Sequence, residues 1–165
     1  MNEAFSNLND ECGKLNGGYF KSMKHNMNND KITVSVTIDA PVGKVWEYWT
    51  TPEHIRKWNQ ASADWYCPKA ENDLKVGGRF SSRMAAKDGS MGFDFSGIYD
   101  EVKENKLISY VMDDGRKVAV SFSAKGNQTK IIETFEAERQ NALEMQEKGW
   151  QAILNNFKTY TEENA

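Results

Sequence analysis

The residue types that most often carry out chemistry are scarce in this sequence and widely spaced. There are two histidines, His25 and His54, and two cysteines, Cys12 and Cys67. They form no grouping with the spacing of a zinc site, and the cysteines lie outside any CxxC pattern, so we expect two free thiols. Neither a GxSxG nucleophile elbow nor a phosphate-binding glycine loop is present. The sequence therefore predicts no catalytic residue, no metal and no cofactor.

A few polar residues on predicted strands could instead orient a ligand. They are Arg79, Arg83, Asp94 and Tyr110. If a pocket desolvated them, Asp94, Arg83 or Tyr110 could take part in acid–base chemistry. The alternative for each is a solvated strand position or a surface ion pair. We take Arg83 and Asp94 as polar cavity candidates.

Composition limits the classes of protein that this chain can belong to. It has 165 residues, 39% hydrophobic and 27% charged, and a formal net charge of -3. That length predicts a single domain with a core of its own. The slightly acidic balance argues against binding nucleic acid, and no apolar run is long enough to span a membrane. Because the first residues are polar and lack the apolar stretch of a signal peptide, a cytoplasmic location is expected.

Residues 1–30 differ from the rest of the chain. They are rich in asparagine, and glycines interrupt a faint helical stripe that runs from Phe5 to Tyr19. We predict an irregular or disordered extension here. A lid over a pocket and a misplaced start, with Met23 or Met27 as the true first residue, remain alternatives. The globular domain is predicted to span residues 31–165.

The next elements are a strand and two short helices. Apolar residues alternate with polar ones from Ile32 to Ile38, which is typical of a half-buried strand. Pro41 then begins an amphipathic helix, and Thr51 followed by Pro52 begins a second short helix.

Further strands and one long helix complete the predicted domain. Tight turns such as KDG, DDGR and KGNQ separate a run of apolar segments, which predicts an antiparallel meander. An apolar stripe with helical spacing predicts a long helix from near Asn141 to Glu162. The fold class is thus α+β, with a curved antiparallel sheet wrapped around a C-terminal helix and two short helices after the first strand.

Large aromatic and methionine side chains dominate the predicted inner faces. This composition is compatible with either a packed core or an apolar pocket. The aromatic fraction is 12%, with five tryptophans. Aromatic rings and methionines offer broad apolar area that adapts in shape. The candidate cavity-lining residues are Trp46, Trp49, Trp58, Phe80, Met84, Phe93, Phe95, Tyr110, Met112, Phe122, Phe135 and Trp150.

The order of these elements resembles a known superfamily. The stretch ITVSVTIDAPVGKVWEYWTTPEHIRKW resembles the entry to the START-like (SRPBCC, helix-grip) fold. A narrower resemblance points to the branch related to the activator of the ninety-kilodalton heat-shock-protein ATPase. Its marks are Gly77-Gly78 with Phe80, the Asp88-Gly89 turn, the G-x-Y-x-E-V run that starts at Gly97, and the closing GWQAILNNFKTY. The resemblance covers residues 31–163.

Three functions are compatible with this resemblance. The first is a non-catalytic domain that binds an apolar or amphipathic small molecule in a closed cavity of about 300–1,000 Å³. The second is a co-chaperone-like module for a heat-shock chaperone ATPase, with Trp65 and Tyr66 as exposed anchors. The third is an enzyme that acts on a cavity-bound substrate, which a buried Asp94 or Arg83 would favour.

Overall fold

A computed structural model describes residues 30–165. The predicted irregular extension, together with Cys12 and His25, therefore lies outside the described residues, apart from Asp30 at its end.

The first elements follow the sequence pattern closely. Strand β1 (Lys31–Ile38) buries every second side chain over most of its length. Helix α1 (Val42–Thr50) follows Pro41, whose carbonyl accepts the backbone N–H groups of Lys44 and Val45. Helix α2 (Pro52–Trp58) begins at its proline, where the missing N–H costs no helical hydrogen bond.

Seven antiparallel strands form one sheet in this part of the chain. Its order is β1-β7-β6-β5-β4-β3-β2, so the chain builds a meander and β1 joins its far side by pairing with β7. Gly115 and Gly126 hold positive φ angles of 90° and 60° in two hairpin turns, a conformation that glycine adopts without strain. The other strands are β2 (Trp65–Asn72), β3 (Arg79–Ala86), β4 (Gly92–Lys103), β5 (Leu107–Met112), β6 (Lys117–Lys125) and β7 (Gln128–Glu136).

Strand β2 is an element that the sequence pattern did not predict. It lies at the edge of the sheet and contains Pro68, which cannot donate to a ladder. The register with β3 shifts between Tyr66 and Lys69, so the proline falls at an irregularity. An edge position and a bulge are the two places where a strand tolerates proline, and neither is visible in local alternation.

Helix α3 (Leu143–Asn164) is about 33 Å long at its 22 residues and packs on the concave face of the sheet. Two of its side chains fasten it to the β1 edge: Lys158 Nζ donates to the Thr37 carbonyl at 2.7 Å, and Gln151 Nε2 donates to the Ser35 carbonyl at 3.0 Å. The predicted α+β helix-grip architecture is confirmed. None of the helices in residues 30–165 is long and apolar enough to cross a membrane.

Candidate functional site

A pocket lies where the sheet curves away from α3. Hydrogen bonds hold the helix to the β1 side of the sheet. Side chains of α1, α2 and the N-terminal half of α3 therefore face the inner surface of strands β2–β5 across the pocket. The pocket has a volume of about 100 Å³. Its walls are formed by Trp49, Ile55, Trp58, Asn59, Ala61, Trp65, Glu71, Asn72, Phe80, Ser82, Met84, Phe93, Phe95, Tyr99, Ile108, Tyr110, Glu133, Trp150 and Ile153.

The pocket is smaller and less enclosed than the sequence predicted. A closed cavity of about 300–1,000 Å³ was expected, as is typical for drug-sized ligands. The space is about 100 Å³, and its wall includes the exposed Glu71 and the half-buried Ala61. The difference arises because aromatic rings fill much of the space between the helix and the sheet.

Aromatic rings hold one another in place around this space. Trp49 stacks on Trp58 with centroids 4.9 Å apart, so α1 and α2 present one joined aromatic surface. From the sheet, Phe80 meets Tyr110 edge-on at 4.7 Å. Such contacts orient rings beyond what burial alone does, which gives the pocket a defined apolar wall.

A buried acidic side chain interrupts the apolar wall. Glu133 lies in the middle of β7, between the cross-strand neighbours Val34 and Val120, and is only 6% exposed. Its carboxyl group lines the pocket and has no hydrogen-bond or ion-pair partner in residues 30–165. Burial raises the pKa of Glu133 to about 8, because the charged form is poorly solvated there. The group is therefore mainly a neutral carboxylic acid at pH 7.

Two tyrosines share the pocket with this acid. The Tyr99 hydroxyl donates to Asn72 Oδ1 at 2.6 Å, and Asn72 Nδ2 donates to the Thr50 carbonyl at 2.6 Å, so this phenol is held by its neighbours. The Tyr110 hydroxyl makes no hydrogen bond within the described chain. Burial, and next the negative charge that Glu133 can carry, raise the pKa of Tyr110 well above its ordinary value. Its hydroxyl thus remains protonated and available to donate.

The structure brings eight of the twelve proposed lining residues together at the pocket. They are Trp49, Trp58, Phe80, Met84, Phe93, Phe95, Tyr110 and Trp150.

The other four are buried in the packed core beside the pocket. Trp46 meets Phe122 edge-on with centroids 5.2 Å apart, and Phe135 stacks on Trp150 at 3.9 Å. Met112 is 5% exposed at the end of β5. These side chains face inward as expected, but they contact neighbouring side chains and do not border the pocket.

The polar candidates Arg83 and Asp94 lie outside the pocket. Arg83 Nη1 contacts Asp94 Oδ1 at 3.3 Å, and the two side chains are 45% and 62% exposed. Side chains alternate between the faces of a strand, so the residues beside them, Met84 and Phe93, occupy the inner face. This placement corrects the assignment of Arg83 and Asp94 as cavity residues. A buried Arg83 or Asp94 would have favoured an enzyme, and neither side chain is buried.

Several pocket residues were not predicted from the sequence. Trp65, expected to be an exposed anchor, is only 7% exposed and lies against Phe93 with ring centroids 6.0 Å apart. Tyr66 beside it is exposed, as expected. Glu133 carried a usable signal, since it stands between Ile131 and Phe135 at an inward position of an alternating strand.

The described residues hold no other obvious chemical centre. Within residues 30–165, no three histidine, cysteine or acidic side chains lie close enough together to hold a metal ion. Cys67 is a free, buried thiol, and burial raises its pKa. His54 Nδ1 lies 2.6 Å from the Tyr160 hydroxyl, where it helps to join α2 to α3.

Comparisons with known proteins support one family. A family model described as activator of Hsp90 ATPase homolog 1-like protein matches residues 39–162. No curated protein matches the sequence.

Solved structures agree with that match. An AHSA1-like protein from Aeromonas hydrophila is 46% identical, with 81% of this chain and 93% of that chain covered and a TM-score of 0.77. The protein Chr148 from Cytophaga hutchinsonii is 57% identical, with 82% and 94% covered and a TM-score of 0.72. Protein NE0264 from Nitrosomonas europaea shares the fold at 19% identity, with 82% and 96% covered and a TM-score of 0.71.

Proposed function

This chain belongs to the family of activator of Hsp90 ATPase homolog 1-like proteins, and we propose that it binds a small apolar or amphipathic molecule in the pocket between α3 and the sheet. The observation that carries this proposal is the pocket itself. Nine aromatic side chains line a space that the side chains of residues 30–165 leave unfilled. Concave apolar sites with a few polar groups are the usual form of small-molecule sites.

The size of the pocket restricts the ligand. A volume of about 100 Å³ is below the ~300 Å³ at which drug-sized ligands are typically enclosed. A ligand is therefore either small, or it inserts one group and leaves the remainder at the mouth near Ala61. Met84 is an unbranched lining side chain whose change of rotamer can enlarge the space.

Native mass spectrometry of protein purified from its own host tests this proposal. A reproducible extra mass that disappears on denaturation is the expected result, and that mass identifies the ligand class. Ala61→Phe places a ring at the half-buried edge of the pocket and should reduce the bound fraction. Ala119→Phe, on the exposed face of β6, is the matched control and should leave it unchanged. Equal retention of the extra mass in both variants would contradict binding in this pocket.

The family match favours a second candidate, a module that binds a heat-shock chaperone ATPase. Tyr66 is 43% exposed on the edge strand β2 and offers an aromatic anchor for a partner. The ATPase rate of a purified chaperone, measured with and without this protein and with Tyr66→Ser, tests this candidate. A rate that does not respond to the wild-type protein rejects it.

A further inference from the structure

We propose, on the premise that the pocket is a binding site, that its ligand is a neutral molecule with a carbonyl oxygen, and that this oxygen accepts a hydrogen bond from the carboxylic acid of Glu133. The proposal names the chemical class of ligand for the pocket and a role for its central polar group.

The position of Glu133 is the first argument. Its side chain occupies an inward strand position whose register neighbours on both sides, Val34 and Val120, are valines. It is 6% exposed, it lines the pocket, and it has no partner in the part of the chain that the structure describes. In residues 30–165 the fully enclosed side-chain atoms without a partner are Asn105 Oδ1 and Thr161 Oγ1, so the Glu133 carboxyl is open to the pocket and a ligand there can pair with it.

The charge of the surroundings is the second argument. The titratable groups that share the pocket with Glu133 are Tyr110 on β5, Tyr99 on β4 and Glu71 at the mouth on β2. The helices contribute only uncharged side chains, among them Trp58 and Trp150. No lysine, arginine or histidine of residues 30–165 lines the pocket, and the nearby Arg116 acts on Tyr110 only through its charge, which lowers the pKa of that phenol. An anionic ligand would therefore make no direct contact with an opposite charge there. A neutral carboxylic acid has an O–H to donate, and a carbonyl oxygen is its simplest neutral acceptor.

Tyr110 supplies a second donor on the same wall. Its hydroxyl is also without a partner in residues 30–165, and it lies close enough for an ionised Glu133 to oppose ionisation of the phenol. A carbonyl oxygen has two lone pairs and can accept two such bonds. The aromatic walls then cover the apolar remainder of the molecule.

Four probes that share a six-membered ring separate the possible chemistries. They are cyclohexanone, its alkene isostere methylenecyclohexane, cyclohexylammonium and cyclohexanecarboxylate. Binding is followed by NMR titration of the full chain. At about pH 6 we expect cyclohexanone to bind at least ten-fold more tightly than methylenecyclohexane, with no binding of the carboxylate. That preference should shrink at about pH 9, where Glu133 has lost its proton.

Substitutions of Glu133 separate the hydrogen bond that this residue donates from the apolar contacts that the rest of the pocket makes. Glu133→Gln keeps an N–H donor but cannot titrate, so it should retain the preference for the ketone and lose the pH dependence. Glu133→Leu should lose most of the preference for cyclohexanone, and the part that Tyr110 maintains should no longer change between about pH 6 and about pH 9. Glu104→Gln, on the exposed turn after β4, is the control and should behave as the wild type.

Each outcome bears on one of the two proposals. If none of the four probes binds, the carbonyl inference is overturned, and the proposed function fails with it only when native mass spectrometry also shows no extra mass. If the ketone and the alkene bind the wild type equally, the pocket binds ligands but the role of Glu133 is wrong. If cyclohexylammonium binds best and its affinity rises with pH, Glu133 serves as an anion for a cation, and the carbonyl inference is overturned.

Discussion

The ring of Phe135 on β7 lies parallel to the ring of Trp150 on α3, with centroids 3.9 Å apart and an interplanar angle of 11°. Both rings are almost completely buried. This stacked pair joins the long helix to the sheet two residues along β7 from Glu133, and Trp150 also lines the pocket. The contact therefore supports the core on one side and forms part of the pocket wall on the other.

Removing one ring of this pair should destabilise the fold strongly. We expect Phe135→Ala to lower the free energy of unfolding by about 3–5 kcal/mol, because a buried ring is lost and a cavity remains. Phe135→Leu should cost less, since it keeps most of the apolar volume. Urea denaturation followed by circular dichroism measures both. A change below about 1 kcal/mol for the alanine variant would show that the stack contributes little.

Replacing Glu133 should change how stability depends on pH. The folded state keeps the Glu133 proton up to about pH 8, whereas the ordinary value of this pKa is 4.5. Between these values the folded state holds more protons than the unfolded state, so this group lowers the stability of the wild type as pH rises. The full effect is on the order of 5 kcal/mol and is complete above about pH 8.

Glu133→Gln should remove this loss of stability. Unfolding free energies measured by urea at about pH 5 and at about pH 8.5 should therefore converge in the variant relative to the wild type. Glu104→Gln is the exposed control and should leave the wild-type difference in place. An unchanged pH difference in Glu133→Gln would mean that the carboxyl ionises normally in the folded protein.

Two glycine substitutions should have opposite consequences. A Cβ atom at Gly97 would lie 2.5 Å from the Val111 carbonyl oxygen and 3.1 Å from the Phe80 ring. Gly97→Ala should therefore lower the melting temperature clearly, since backbone would have to shift. A Cβ at Gly43 in α1 meets nothing within 4 Å, so Gly43→Ala should raise stability by up to about 1 kcal/mol through helix propensity. Similar melting temperatures for the two variants would contradict this account.

The bridge between Tyr99 and Asn72 should behave as one energetic unit. Asn72 accepts from the Tyr99 hydroxyl and donates to the Thr50 carbonyl, both at 2.6 Å, so it joins β4 to the end of α1 through the edge strand β2. We expect Tyr99→Phe and Asn72→Ala each to destabilise the protein, with a coupling energy of about 0.5–3 kcal/mol in the double variant. Additive effects in a double-mutant cycle would show that the short hydrogen bond is energetically irrelevant.

The sequence by itself determined most of the elements and which face of each points inward. Period-two alternation from Ile32 to Ile38 and the turn glycines are local features, set by backbone geometry within a few residues. The same alternation placed Phe93 and Phe95 on the inner face. It could also have shown that Asp94 points away from them and that Glu133 points in.

Only the tertiary structure decided where the inward residues leave space. The hydrogen bonds of Lys158 and Gln151 hold α3 to the β1 edge. Trp150 on α3 borders the pocket, whereas Trp46 on α1 is packed against Phe122 on β6. Whether a buried polar group such as the Glu133 carboxyl has a hydrogen-bond partner also depends on side chains that are far apart in the sequence. The volume of a cavity is the small difference between the volume that the backbone encloses and the volume that the side chains fill. Because many segments contribute to both volumes, no local sequence pattern encodes a cavity.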